Sequence, residues 1–223
     1  MRVEVWSDLI CPWCYVGKRR FERALAGFPH RHDVEVVHRS FELDPSTPRN
    51  ETQDNRARLA EKYGLSEEQA RAAQQRMAGL AAEEGLEFRR DGGRVGNTFD
   101  AHQLVHLARE RGLQDQVIER LFRAHFTEQR SLFDHDSLVD LAAEAGLDRE
   151  EARTVLTKET YARAVRADEA QAHALGASGV PFFVFDDRYG VSGAQRSEIF
   201  SDVLARAWAE AHPGQPAPAS VSP

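Results

Sequence analysis

The run Val3-Glu4-Val5-Trp6 is short, β-branched and alternating, which predicts a strand. After a turn at Ser7-Asp8 the apolar spacing becomes helical, and a helix is predicted to open at Cys11-Pro12 and run to about Phe28. Proline suits that first turn, where its missing N–H would have had no partner in any case. Pro29 and the polar run behind it close the helix, and Val34 to Phe41 predicts a second strand, ended by Asp44-Pro45. Two strands joined through a helix in this way form a parallel pair with a right-handed crossover.

From about Asn50 to Gly176 nearly every segment has helical period, and no strand-like run exceeds Leu86-Glu87-Phe88. Ser66 with Gln69 forms a capping box for a helix ending near Gly85. Asn97 is placed to cap a helix through Arg111, a further helix spans about Asp115 to Gln129, and others run over Asp136–Ala145 and from Asp148 onward. Strand patterning returns at Pro181-Phe182-Phe183-Val184-Phe185. A turn at Asp186-Asp187-Arg188, a strand at Tyr189–Ser192 and a helix from Gln195 to about His212 follow.

The order is therefore β-α-β, a helical block, then β-β-α. Neither flank covers both faces of a sheet alone. Joined, they predict an α/β fold: a thioredoxin-like, mixed four-stranded sheet with helices on both faces and an inserted all-helical subdomain. The expected division is 1–44 with 177–212 for the thioredoxin-like part, 45–176 for the insertion, and 213–223 for a Pro/Ala/Ser-rich disordered tail.

Composition narrows the function. Hydrophobic residues make up 41% of the chain, enough for a sizeable core, and the net charge of −7 argues against nucleic acid or an anionic membrane as partner. No apolar stretch approaches the roughly 18 residues that would span a bilayer. The N-terminus enters a strand without an apolar signal segment, so a cytoplasmic location is expected. In a reducing compartment two cysteines are seldom a structural staple.

Those two cysteines, Cys11 and Cys14, stand in a Cys-Pro-Trp-Cys run. Random placement would set them three apart only about once in a hundred times. Their place, at the start of a helix directly after a strand, has a chemical consequence. The unpaired N–H groups and positive end of the helix dipole stabilise a thiolate at Cys11, which attacks a disulfide, and Cys14 resolves the mixed disulfide one turn along. On this reading Cys11 is the exposed nucleophile and Cys14 is shielded. Half of a zinc knuckle is the competing use, but it needs two further ligands and no second cysteine pair exists, so no metal is expected. Trp13 is either a packing residue or an apolar platform that meets substrate.

The run Trp6-Ser7-Asp8-Leu9-Ile10-Cys11-Pro12-Trp13-Cys14-Tyr15-Val16-Gly17-Lys18 resembles the opening of the DsbA superfamily, and in particular its cytoplasmic FrnE-like branch. Asn97-Thr98-Phe99-Asp100-Ala101-His102, Gly179-Val180-Pro181-Phe182-Phe183-Val184-Phe185 and Val191-Ser192-Gly193-Ala194-Gln195 fit the same branch. The resemblance implies a thioredoxin domain interrupted by helices and a thiol–disulfide oxidoreductase. Where residues alone favour an ordinary trans proline, it implies a cis Val180–Pro181 bond facing the cysteines, with the backbone of Val180 free for an extended substrate. It also implies that Glu4 is a buried proton acceptor for Cys14; a solvated Glu4 at a sheet edge is the other reading. Asn97, Thr98 and His102 are implied to line a cleft between the helices and the sheet. Some branch members carry a further cysteine pair near the C-terminus, and this chain has none.

No bound cofactor is expected, with glutathione as an optional co-substrate. The partner is a thiol or disulfide, protein or small molecule, and the oligomeric state stays open. His102 and His106 share a helical face but lack an obvious third metal ligand; His125 and His173 read as ordinary helix residues, and Glu67-Glu68 and Glu83-Glu84 as solvated helix faces. Two rival functions remain. A glutathione-dependent transferase or isomerase, of the kappa-class or 2-hydroxychromene-2-carboxylate isomerase type, typically presents Ser in place of the first cysteine. A client-binding chaperone would keep its function without either cysteine.

Overall fold

The computed structural model describes residues 1–49, 51–89 and 93–213. Four strands, β1 (Arg2–Ser7), β2 (Glu35–Ser40), β5 (Phe182–Phe185) and β6 (Tyr189–Ser192), form one sheet in the order β2-β1-β5-β6. β1 is parallel to β2, with Val5 opposite His38, and antiparallel to β5, with Val5 opposite Phe183. β5 and β6 close an antiparallel hairpin, so the sheet is mixed as its pattern predicts. In the hairpin turn Asp186 and Asp187 both have positive φ, the signature of a type I′ turn that matches strand twist.

Helices α1 (Pro12–Ala26) and α9 (Ser197–Ala211) cover one face. Val3, Val5, Phe183 and Phe185 point into this layer and pack on Phe21 and Phe200. Residues of opposite parity, Trp6, Phe182 and Val184, point to the other face, where they meet Phe41 and Ala172 of α8 (Ala162–Ala174). That alternation is the period of two expected of strands buried on both sides.

Between β2 and β5 the chain forms α2 (Asn55–Tyr63), α3 (Glu67–Glu83), α4 (Phe99–Glu110), α5 (Gln114–Arg123), α6 (His135–Glu144) and α7 (Arg149–Lys158), before α8. The capping box at Ser66 and Gln69 is present, and the carboxylates of Asp134 and Asp148 accept from Ser137 and Glu151 N–H. The region is not all-helical, however. Strands β3 (Thr52–Asp54) and β4 (Arg94–Gly96) pair into a two-stranded antiparallel ribbon. Three residues are too few to show alternation, which hid both strands. The helix expected to reach Gln129 ends as regular α-helix at Arg123 and continues as a π-helical turn over Ala124–Glu128. The expected tail lies outside the described residues beyond Pro213. Among the described residues no helix is long and apolar enough to cross a membrane.

A buried ionic cluster joins the sheet to α4 and α8. Arg39 of β2 donates to Glu4 of β1 at 2.8 Å and to Asp168 of α8 at 2.9 Å. Asp168 also accepts from Ser40 N–H at 2.9 Å and lies 3.1 Å from His106 of α4, while its carbonyl accepts from the Trp6 indole. At the outer edge of β2, the Gln114 side chain both accepts from His38 N–H (3.0 Å) and donates to His38 C=O (2.9 Å).

Removing one member of a buried ion cluster strands the others, at a typical cost of about 3–5 kcal/mol. Arg39→Met leaves two buried carboxylates without their shared cation. We expect a loss of that order in urea denaturation at pH 7, with a lower midpoint.

Candidate active site

The site is built on the start of α1. Cys11 occupies the N-cap in an extended conformation, Pro12 is the first helical residue, and Cys14 lies in the first turn. The loop before the helix is tied down by Cys11 N–H donating to Asp8 C=O at 3.0 Å. Facing it is the Val180–Pro181 bond, which is cis, and the Cys11 thiol lies 3.7 Å from Val180 C=O as donor. The Val180 carbonyl is thus engaged by the Cys11 thiol rather than free.

Gly17 allows this closeness. Glycine inside a helix costs about 1 kcal/mol relative to alanine, so its presence needs a packing reason. A Cβ at Gly17 would stand 2.9 Å from Pro181 Cγ and 3.4 Å from the Ala194 backbone. The first two turns of α1 therefore sit flush on the loops around β5 and β6.

Both thiols are free and both residues are buried, Cys11 at 4% exposure and Cys14 at 2%. The expectation of an exposed Cys11 is corrected, because the Val180–Pro181 loop covers it. Burial, and then the neighbouring Cys11 sulfur, push the Cys14 thiol well above its ordinary pKa, against a backbone hydrogen bond from Asp8. The Asp8 carboxylate adds repulsion against a Cys14 thiolate.

Asp8 is the acid that sequence reasoning missed, having taken it only as a turn residue. It is 1% exposed, accepts from Leu43 N–H at 2.7 Å and Ile10 N–H at 3.4 Å, and lies 3.8 Å from His102 Nε2. That His102 nitrogen is buried without a hydrogen-bond partner. Beyond His102 stands Glu42, buried and held above the usual carboxylate pKa by desolvation, with Arg166 at its outer side. A row of polar side chains thus leads from Cys14 toward solvent.

Glu4 is elsewhere. Its strand neighbours Val3 and Val5 take the α1 face, so Glu4 points to the α8 face and is paired with Arg39. It is buried as expected, but neither unpaired nor beneath Cys14. Asn97 and Thr98 are buried and do not line an open cleft. Asn97 donates to Thr47 C=O at 3.0 Å and accepts from Phe99 N–H at 2.9 Å, bracing the start of α4. His102 is buried too and faces Asp8, whereas His106 faces Asp168, so the two histidines serve different acids. Glu84 is also not a solvated position, since it bridges to Arg20 and Arg23 of α1. His125, in the π-helical turn, is buried, and desolvation lowers its pKa to about 4.

Trp13 is 44% exposed and forms one wall of a groove of about 600 Å³, together with Ile10 and Pro12. The opposite wall comes from α2 and α3.

A mixed thioredoxin-type sheet, an interrupting helical block and a Cys-x-x-C at a helix start opposite a cis-proline define the class of thiol-active thioredoxin-fold proteins. The chain belongs to the DSBA-like thioredoxin domain family, whose model matches residues 2–205. It is 53% identical to a probable DsbA oxidoreductase from Streptomyces coelicolor, covering 98% of this chain and 94% of that one, with a TM-score of 0.92. It is 29% identical to the uncharacterized protein YwbO of Bacillus subtilis, over 92% of this chain and 96% of that protein. Its fold is shared with the cytosolic disulfide reductase DsbM of Pseudomonas aeruginosa bound to GSH, at 18% identity, 93% and 99% coverage and a TM-score of 0.66. A 2-hydroxychromene-2-carboxylate isomerase shares it too, at 14% identity, 95% and 98% coverage and a TM-score of 0.63.

Two outcomes follow from this geometry. In Gly17→Ala the added methyl meets a stiff proline ring, and overpacking of about 1–3 kcal/mol outweighs the ~1 kcal/mol of helix propensity gained. Urea unfolding should show a net loss of stability, and a gain would exclude the tight contact. For His125, the folded state disfavours the proton, so the unfolded chain takes it up first as pH falls below about 6.5. Stability should then decline between pH 6.5 and 4, by up to about 3 kcal/mol from this group. In His125→Gln the decline measured by urea unfolding across that window should be shallower.

Proposed function

We propose that this protein is a dithiol–disulfide oxidoreductase working through Cys11 and Cys14, of the cytoplasmic FrnE-like kind. The observation that carries the reading is the asymmetry of the pair. Cys11 caps the helix against the Val180–Pro181 loop, while Cys14 is held protonated inside it.

The Cys11 thiolate attacks a substrate disulfide, forming a mixed disulfide and releasing one substrate thiolate, which takes a proton. The Val180 carbonyl, no longer engaged by the thiol, accepts a backbone or amide N–H of the bound substrate. Cys14 then transfers its proton to the Asp8 carboxylate and attacks the Cys11 sulfur. The second substrate thiol leaves, and the Cys11–Cys14 disulfide remains. The net change is two-electron oxidation of the dithiol and reduction of the substrate disulfide; with an oxidised protein and a dithiol substrate the same steps run backward. His102, whose Nε2 lies 3.8 Å from Asp8, takes the proton on from Asp8 and passes it along the row to Glu42. Glutathione is the thiol proposed to return the protein to its reduced form, in keeping with a fold shared by a GSH-bound disulfide reductase. The isomerase likeness is one of fold, and the intact cysteine pair favours redox chemistry over it.

The test separates the roles. Cys11→Ser should abolish reaction with disulfides. Cys14→Ser should accumulate a mixed disulfide, visible by mass spectrometry. In Asp8→Asn the mixed disulfide should form at a near-normal rate but resolve on the order of 100-fold more slowly, with a changed pH profile across about pH 6–8. Resolution at the wild-type rate throughout would remove Asp8 from the proton path.

A further inference from the structure

The groove beside Trp13 is lined by Ile10, Pro12 and Trp13, the residues on either side of Cys11 in the chain. Its depth is apolar. Leu59 of α2, Met77 and Leu80 of α3, and Phe88 form the wall opposite Trp13. Tyr63, another exposed large ring, stands at its rim. A volume of about 600 Å³ is that of a small-molecule site.

The charges at the rim have one sign. Among the described residues that line the groove there is no carboxylate, although the chain holds 36 acids against 29 bases. Two arginines line it, Arg76 of α3 and Arg89. Arginines elsewhere in the fold are mostly matched to carboxylates, as Arg20 is to Glu84, Arg120 to Glu128 and Arg166 to Glu42. Among the described residues Arg76 has no such partner, and the Arg89 guanidinium meets no carboxylate but donates to the Thr127 carbonyl at 2.9 Å. Apolar walls ending in unmatched guanidinium groups are complementary to an apolar body that ends in a carboxylate.

We propose that this groove selects low-molecular-mass disulfides with an apolar, preferably aromatic, body and a carboxylate. The body lies between Trp13 and α3, the sulfur is presented to Cys11 and the carboxylate to Arg76 and Arg89. The proposal rests on Cys11 as the attacking thiol. Each turnover converts one such disulfide to two thiols and leaves Cys11 and Cys14 oxidised, to be reduced again by a thiol from outside. Glutathione disulfide fits the groove poorly, because it carries ammonium groups and no apolar body to cover Leu80 and Phe88.

The test uses the reduced full-length protein in stopped flow, reading Trp fluorescence and thiol release. Three substrates are compared: the disulfide of a mercaptobenzoic acid, the disulfide of its carboxamide, and glutathione disulfide. The acid should react about tenfold faster than the carboxamide at low ionic strength, and the preference should shrink in high salt. In Arg76→Ala/Arg89→Ala the ratio of acid to carboxamide should fall to near one. In Leu80→Glu both aryl disulfides should slow relative to glutathione disulfide; circular dichroism of each variant checks its fold. The proposal is overturned if acid and carboxamide react equally in the unsubstituted protein, or if the preference survives loss of both arginines. Faster reaction with glutathione disulfide also overturns it. Those outcomes leave thiol–disulfide exchange standing, whereas absence of reaction with every disulfide overturns exchange as well.

Discussion

The site depends on one close approach, that of α1 onto the loop carrying Pro181. Gly17 has no side chain because a Cβ there would stand within 2.9 Å of the proline ring. That contact sets where the helix start lies, hence where Cys11 lies relative to Val180 and how deeply Cys14 is buried. The far sides of α1 are fixed independently. Lys18, buried, is held among Glu22, Asp115 and Glu119, so α1 is bound to α5 by charge. Arg20 and Arg23 grip Glu84 at the end of α3. The reactive helix is thus a keystone between the sheet and the interposed helices, and the position of its first turn follows from contacts made two turns later.

The two acids near the centre of the fold illustrate how position decides role. Glu4 and Asp8 are four residues apart and both buried. Glu4 lies in a strand whose parity turns it away from α1, and Arg39 neutralises it there. Asp8 lies past the end of the strand, where the backbone folds under the helix and no arginine among the described residues pairs with it. It is held by backbone N–H groups and faces Cys14 and His102. A carboxylate with a matched cation ties two elements together; one held by amides beside a thiol keeps its charge without a cation to neutralise it.

Much of this was legible from the chain. β1, α1, β2 and the β5–β6 hairpin follow from alternation, proline placement and turn residues, and Cys11 and Cys14 announce themselves by spacing and by their place at a helix start. What stayed hidden depends on contacts distant in sequence. β3 and β4 find each other across about 40 residues, with too few positions to show a period. The facing of Glu4 depends on which layer each helix joins, which parity alone leaves undecided. Asp8 looks like a turn residue until Leu43 and His102 are brought to it. The groove exists only once α2 and α3 stand opposite Trp13. Local pattern shows elements; the chemistry of a buried site comes from what tertiary packing puts beside them.

Gln114 has a consequence for how the sheet ends. By offering a carbonyl and an amide N–H to His38, its side chain imitates one residue of a neighbouring strand. The outer border of β2 is thereby occupied at its middle, and α5 follows directly behind it, so no extended segment can be added there. The other border, β6, is four residues long with Gly190 inside it. Growth of the sheet by strand addition is therefore closed on one side and confined to a short rim on the other. A protein whose β5 reads Phe-Phe-Val-Phe would otherwise carry a strong template for self-association; here that strand is internal, and the borders that face outward offer little to copy.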